Sequence, residues 1–218
     1  IWIQDIAKSE PARMVLATED GTLWKPVDFS QDGRQLLVQQ FISVADSRIH
    51  VLDLTTGELR LLIGDPENPS SNIAAGFDRK GENVLFVSNQ NKGAAELAKV
   101  NLDEVPVINF VSSYANWDIT QFILSPDRKR GAFVANEAGF SRLYLFDPDE
   151  MAIKRVTKVP AGVITGLKFS PDNSKLGMTL NSARNPNDAF VLELSRKPLN
   201  ARTLTRWTFS EVGGLDTS

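Results

Sequence analysis

The sequence contains no cysteine. Disulfides, zinc–thiolate centres and thiol nucleophiles are therefore excluded. It has a single histidine, His50, which rules out any multi-histidine metal site and leaves one candidate for a triad base. No apolar run approaches the roughly 18 residues needed to cross a bilayer as a helix, so no membrane partner is expected. A net charge of −3 spread over 218 residues gives no basic face for nucleic acid. No basic segment followed by an apolar stretch stands at the start, so no signal peptide is expected in these residues, although the chain begins at Ile1 rather than Met. With 42% hydrophobic and 23% charged residues, the composition is that of an ordinary globular domain.

What the sequence does contain is a repeat. The phrase "VDFSQDGRQLLV" (27–38) returns as "LKFSPDNSKLGMT" (167–179). Aligned on the apolar residue before the turn, Phe29, Phe77, Leu124 and Phe169 are spaced by 48, 47 and 45 residues. A second anchor, the last apolar residue of a later strand, gives Ile6, Leu54, Leu102, Phe146 and Leu194, spaced by 48, 48, 44 and 48. Two anchors thus agree on a period of about 47 residues.

Each unit holds four short apolar or alternating runs, the signature of strands. In the first full unit these are Pro26–Phe29, Gln35–Val38, Arg48–Leu54 and Leu59–Ile63; in the third they are Gln121–Leu124, Gly131–Val134, Arg142–Phe146 and Lys154–Thr157. "SQDG", "DRKG", "SPDRKRG" and "SPDNS" supply turn chemistry between the first and second strands. No segment offers an amphipathic helix of three turns, and "GAAELAK" (93–99) sits where the repeat requires a loop and a strand.

Four antiparallel strands repeated at this period predict an all-β fold, a β-propeller of four-stranded blades. A sandwich does not account for a fixed period. Residues 1–18 align with the second half of a blade, residues 24–63, 72–110, 117–157 and 164–208 with full blades, and 209–218 with a tail. About four and a half blades is an awkward number to close. An uncapped blade face of roughly 400–500 Å² left wet forgoes about 10 kcal/mol at about 25 cal/mol per Å². The expectation is a partial or irregularly closed propeller, with self-association through its open edges or a distorted closure.

Several phrases then resemble the propeller of the prolyl oligopeptidase family of serine peptidases, in the branch of dipeptidyl aminopeptidase and acylaminoacyl peptidase-like enzymes. They are "SRIHVLDLTTGEL" (47–59), "WDITQFILSPDRKRGAFVANEAGFSRLYLFD" (117–147), "LKFSPDNSKLGMTLNSARNPNDAFVLEL" (167–194) and "TRWTFSEVGGLD" (205–216). The "FSPD" turns are also similar to TolB-type and WD-like repeats. The resemblance implies that residues 209–218 lead towards a hydrolase domain absent from this chain. It further implies that peptide substrates are a partner of the parent enzyme through that domain, to which the propeller restricts access. The alternative is a TolB-like propeller acting as a protein-binding scaffold. The family's catalytic residues lie in the hydrolase domain, and none is carried over. A nucleophile elbow needs G-x-S-x-G at a strand-to-helix turn; "GFSRL" (139–143) lacks the second glycine and falls in an expected loop. No cofactor, metal or catalytic residue is assigned.

Individual residues favour structural roles. His50 alternates with Ile49 and Val51 in an expected strand, and without a nucleophile motif it reads as a strand-face histidine rather than a base. Asp32, Asp127 and Asp172 recur one per unit, which suits turn formation better than a shared metal. Asp147–Glu150 lacks the spacing of a calcium loop, and Arg128, Lys129 and Arg130 read as a solvated turn. Two sets of connections are expected to open on one face: 39–47, 88–95, 135–141 and 181–188, with 64–72, 111–118 and 158–163. They carry Phe41, Tyr114, Trp117, Phe140 and Arg184, and wedging between blades is favoured for the aromatics over contact with a partner.

Overall fold

The computed structural model describes residues 1–111, 117–183, 186–195 and 203–208. Strands β1 (Trp2–Ile3) and β2 (Arg13–Met14) form a two-stranded antiparallel sheet, and four four-stranded antiparallel sheets follow. The first is β3 (Leu23–Phe29), β4 (Gln35–Ser43), β5 (Asp46–Asp53) and β6 (Leu59–Ile63). The second is β7 (Asn72–Phe77), β8 (Asn83–Ser88), β9 (Glu96–Asn101) and β10 (Ile108–Phe110). The third is β11 (Ile119–Leu124), β12 (Gly131–Glu137), β13 (Phe140–Asp147) and β14 (Ala152–Arg155). The fourth is β15 (Val163–Phe169), β16 (Lys175–Asn181), β17 (Asp188–Glu193) and β18 (Leu204–Arg206). Within each sheet, sequential strands are neighbours, giving four copies of one blade. The chain divides into two compact units, Ile1–Ser113 and Tyr114–Ser218, each holding two of these sheets.

The repeat has a structural meaning at each rung. Phe29, Phe77, Leu124 and Phe169 are the last residues of β3, β7, β11 and β15. The residues facing them continue across the sheet as Leu36–Leu52, Val84–Val100, Gly131–Phe146 and Leu176–Leu192. The third pair conserves bulk by redistribution. A Cβ on Gly131 would lie 2.7 Å from the Phe122 ring and 3.2 Å from that of Phe146, so a glycine opposite a phenylalanine replaces two branched chains. Every first strand also carries a register shift, between Pro26 and Asp28, Ala74 and Gly76, Ile119 and Gln121, and Thr165 and Lys168. Such an irregularity sharpens the local twist.

Alternation along the strands sorts side chains onto two faces. In the first blade Leu36, Val38 and Leu52 face Ile1, Val15 and Leu16, while Leu37, Ile49 and Val51 pack with Phe77, Val84, Phe86, Ala98 and Val100 of the second. In the other unit, Ala132, Val134 and Leu143 pack with Ile164, Phe169, Leu176 and Met178. Phe77 and Phe86 are fully buried, and burying side chains of this size is worth about 2–3 kcal/mol each.

Four details depart from the sequence reading. Residues 39–47 and 135–141, expected as loops, continue the ladder through β4 to Ser43 and β12 to Glu137 and close as tight hairpins. Polar Gln39, Gln40, Asn136 and Glu137 interrupt the apolar pattern there, but backbone pairing does not depend on side-chain polarity. "GFSRL" consequently enters β13 at Phe140 and is not a loop. The anchor at Phe146 is two residues out of step: the residue following β13 is Pro148, equivalent to Leu54, Leu102 and Leu194. Ile6 lies beyond β1 and is 98% exposed, so it is not an equivalent rung.

Candidate functional site

In each unit the loop end of the blades is organised by the same problem. The first strand of a blade is an edge of its sheet, and its outward N–H and C=O groups need partners. In the second blade they are met by side chains of the first. Ser47 Oγ accepts the Asn72 N–H at 2.8 Å and donates to the Asn72 carbonyl at 2.7 Å. Gln39 donates from Nε2 to the same carbonyl at 2.8 Å and accepts the Ala74 N–H at 2.9 Å. Asp28 accepts the Phe77 N–H at 3.0 Å. The Asn72 side chain, fully buried, donates to the Ser47 and Ser70 carbonyls and accepts from the Ser88 hydroxyl at 2.6 Å.

The other unit repeats part of this arrangement. Ser141 Oγ accepts the Ile164 N–H at 3.0 Å and Gln121 Oε1 accepts the Leu167 N–H at 3.3 Å. The Ser141 N–H donates to the Gly162 carbonyl as that of Ser47 does to Ser70. The sequence does not single out this latch: the dipeptide Ser-Arg at 47–48 and 141–142 accompanies it but also occurs at 195–196.

His50 sits on β5 on the same face as Leu52. Its ladder position is filled by Ala98, Tyr144 and Phe190 in the other blades, so the position is a core rung that tolerates many side chains. Its Nε2 lies 3.1 Å from Gln40 Oε1, and its ring is 4.8 Å from that of Trp24. Gln40 Nε2 in turn donates to Asp20 at 3.1 Å, which also accepts from Trp24 Nε1 at 3.0 Å. Burial, seconded by the Arg48 charge and opposed by Asp20, lowers the His50 pKa to about 4. His50 is thus held neutral at the buried end of a hydrogen-bond chain that runs through Gln40 to the exposed Asp20.

The recurring aspartates are turn elements. In blades one, three and four a serine hydroxyl donates to the aspartate two residues on: Ser30 to Asp32 at 2.6 Å, Ser125 to Asp127 at 2.7 Å and Ser170 to Asp172 at 2.5 Å. The same serine oxygen accepts the N–H of Gln35, Arg130 or Lys175. The Ser170 hydroxyl, followed by the Ser174 N–H, lowers the Asp172 pKa to about 2, and Ser30 lowers that of Asp32. At Asp127 burial opposes the shift, but the Ser125 hydroxyl and the Lys129 N–H carry it downwards. In the second blade Asp78 replaces the serine and accepts the N–H groups of Glu82 and Asn83 directly. The residue that closes each turn has positive φ, 70° at Gly33 and 73° at Gly81, and Arg128 and Asn173 adopt the same conformation at 57° and 60°. Asp147 is likewise spent on a turn, accepting the N–H groups of Asp149 and Glu150.

Of the aromatics, Phe41, Trp117 and Phe140 are 43–48% exposed, which does not fit wedges between blades. Phe41 pairs across the sheet with Leu23, and Phe140 lies under the Arg142 guanidinium at 5.6 Å. Tyr114, Arg184 and the tail 209–218 lie outside the described residues.

No protein-family model matches the sequence, and no curated protein does. Solved structures do. Prolyl oligopeptidase B from Galerina marginata, bound to a 35mer hydrolysis and macrocyclization substrate, superposes with a TM-score of 0.77 at 13% identity, over 99% of this chain and 31% of that one. A prolyl endopeptidase gives 0.71 at 17% identity, over 99% of this chain and 31% of that one. TolB from Acinetobacter baumannii gives 0.64 at 15% identity, over 88% of this chain and 45% of that one. The chain therefore spans about a third of the length of the peptidases it matches. Its fold is the β-propeller found in prolyl oligopeptidases and in TolB, built here from four-stranded antiparallel blades.

Proposed function

We propose that this chain is the propeller portion of a prolyl oligopeptidase-like serine peptidase, where it filters the peptides that reach a hydrolase domain encoded outside these residues. The observation that carries the reading is the uneven coverage, 99% of this chain against 31% of the peptidase. Two features of the residues support it. There is no G-x-S-x-G, and His50, the one histidine, is committed to a neutral buried network with Gln40. Filtering of this kind acts through sterics and loop contacts, not through proton transfer or nucleophilic attack.

A second reading is favoured by the TolB superposition, which covers 88% of this chain: a scaffold propeller with no hydrolase attached. The coding sequence beyond Ser218 separates the two. A G-x-S-x-G followed later by Asp and His is the expected result, and a stop codon or an unrelated domain supports the scaffold instead. In the full-length enzyme, shortening the β4–β5 hairpin at Ser43–Asp46 should raise cleavage of long peptides relative to dipeptide substrates. An unchanged length profile counts against filtering.

A further inference from the structure

A cavity of about 190 Å³ opens between the strand ends of β13 and β14, lined among others by Ser141, Arg142, Arg155, Thr157 and Lys158. Its charge is unbalanced. The carboxylate serving it is Glu137, whose Oε2 lies 3.5 Å from Arg142 Nε and 3.9 Å from Arg155 Nη2, while its other oxygen accepts the Tyr144 hydroxyl. One acid thus faces two guanidiniums, and Lys158 makes no ion pair among the described residues. Arg142 Nε is buried and, among the described residues, makes no hydrogen bond, its contact with Glu137 being an ion pair at 3.5 Å. The Ser141 oxygen accepts the Ile164 N–H, and its own proton has no acceptor among the described residues.

The equivalent place in the first blade lacks each of these features. Arg48 is paired two-pronged with Asp46, at 3.3 and 3.0 Å. Leu61, opposite His50, stands where Arg155 stands opposite Tyr144. Gly64, at φ 119°, brings its backbone onto Arg48, so closely that a Cβ would lie 2.7 Å from Cγ. The Ser47 hydroxyl proton is spent on Asn72. The opening in the third blade is therefore a property of its own side chains and not of the repeat.

We propose that this cavity is an oxyanion-binding site, taking a phosphate or carboxylate group on Arg142, Arg155 and Lys158 with the Ser141 hydroxyl as a neutral donor. Planar guanidiniums match the paired oxygens of such groups, and an ammonium adds a point charge. The Phe140 ring lies 5.6 Å from the Arg142 guanidinium carbon, a cation–π contact on one of the two guanidiniums. The volume equals that of several waters, at about 30 Å³ each, which suffices for a tetrahedral oxyanion or a terminal carboxylate. The site does not depend on the peptidase reading.

The test is calorimetric titration of the 218-residue chain at low salt. The probes are inorganic phosphate, trialanine with a free carboxylate, and trialanine amide. Saturable binding of phosphate or of the free acid, weakened at least tenfold in both Arg155→Gln and Lys158→Gln and unchanged in the remote Lys25→Gln, is expected. Both cavity substitutions are at exposed positions, so folding is preserved, and unchanged melting curves verify this. Binding of phosphate but not the acid identifies a free inorganic ion as the ligand; binding of the acid but not the amide identifies a peptide terminus. Absence of saturable binding by either anion, or equal weakening in Lys25→Gln, overturns the proposal.

Discussion

Ser47 and Ser141 each accept the edge N–H of the next blade's first strand, from Asn72 at 2.8 Å and from Ile164 at 3.0 Å. Around that shared contact the first and third blades diverge. In the first, the next strand begins with a buried asparagine that binds Ser47, Ser70 and Ser88, and Arg48 is neutralised two residues away by Asp46. In the third, the Ser141 hydroxyl proton has no acceptor among the described residues, and Arg142 shares Glu137 with Arg155. One backbone solution thus supports a closed polar lock in one blade and an open cationic cleft in the other. The repeat fixes the strand edges; the side chains around them are free to differ.

Breaking the lock should show the largest effect. Asn72→Ala leaves the buried Ser88 hydroxyl without its acceptor and takes a donor from the Ser47 and Ser70 carbonyls, of which Ser70 keeps the Ser47 N–H. A loss of about 3 kcal/mol in unfolding free energy is expected by urea denaturation, given about 1–3 kcal/mol for each buried group left unpaired. Next comes the comparison itself. Ser47→Ala removes both an acceptor and a donor and should cost about 2 kcal/mol, against about 1 kcal/mol for Ser141→Ala, which removes one acceptor. Equal costs would show that the two latches are energetically the same.

A smaller effect lies in pH. Burial holds the folded His50 pKa near 4, below its ordinary 6.5. Between these values the unfolded chain takes up a proton that the folded chain refuses. Stability is complete above about pH 6.5 and is lost as pH falls towards 4, by about 1 kcal/mol once solvent screening is allowed for. His50→Gln should flatten that slope in chemical denaturation across the window. Smallest is the turn of the fourth blade. Asp172 titrates near 2 when folded, against 3.8 for the free side chain, so its contribution is present above pH 3.8 and fades below it. Asp172→Asn should lower the neutral-pH midpoint slightly and make acid unfolding less steep below pH 4.

Much of the fold was legible because one apolar residue per period, from Phe29 to Phe169, marks the end of a first strand, and apolar rungs recur at two-residue spacing. Strand extent was less so. Gln39 and Glu137 read as loop residues, although the ladder runs through both, because backbone pairing leaves no mark in polar side chains. The turn role of Asp32, Asp127 and Asp172 was readable from their recurrence, one per unit, at equivalent turns. The latch and the cleft were not. Ser47 resembles any other serine until Asn72, 25 residues later, is brought against it, and the charge around Arg142 depends on Arg155 and Lys158 arriving from another strand.

The most direct measurement on the function proposed for this chain is hydrolysis of aminoacyl and acylaminoacyl chromogenic substrates by the purified 218 residues. No turnover above the buffer rate is the expected result, since the chain has no nucleophile elbow and its histidine is held in a structural network. Robust turnover abolished by a serine-directed inhibitor would contradict it.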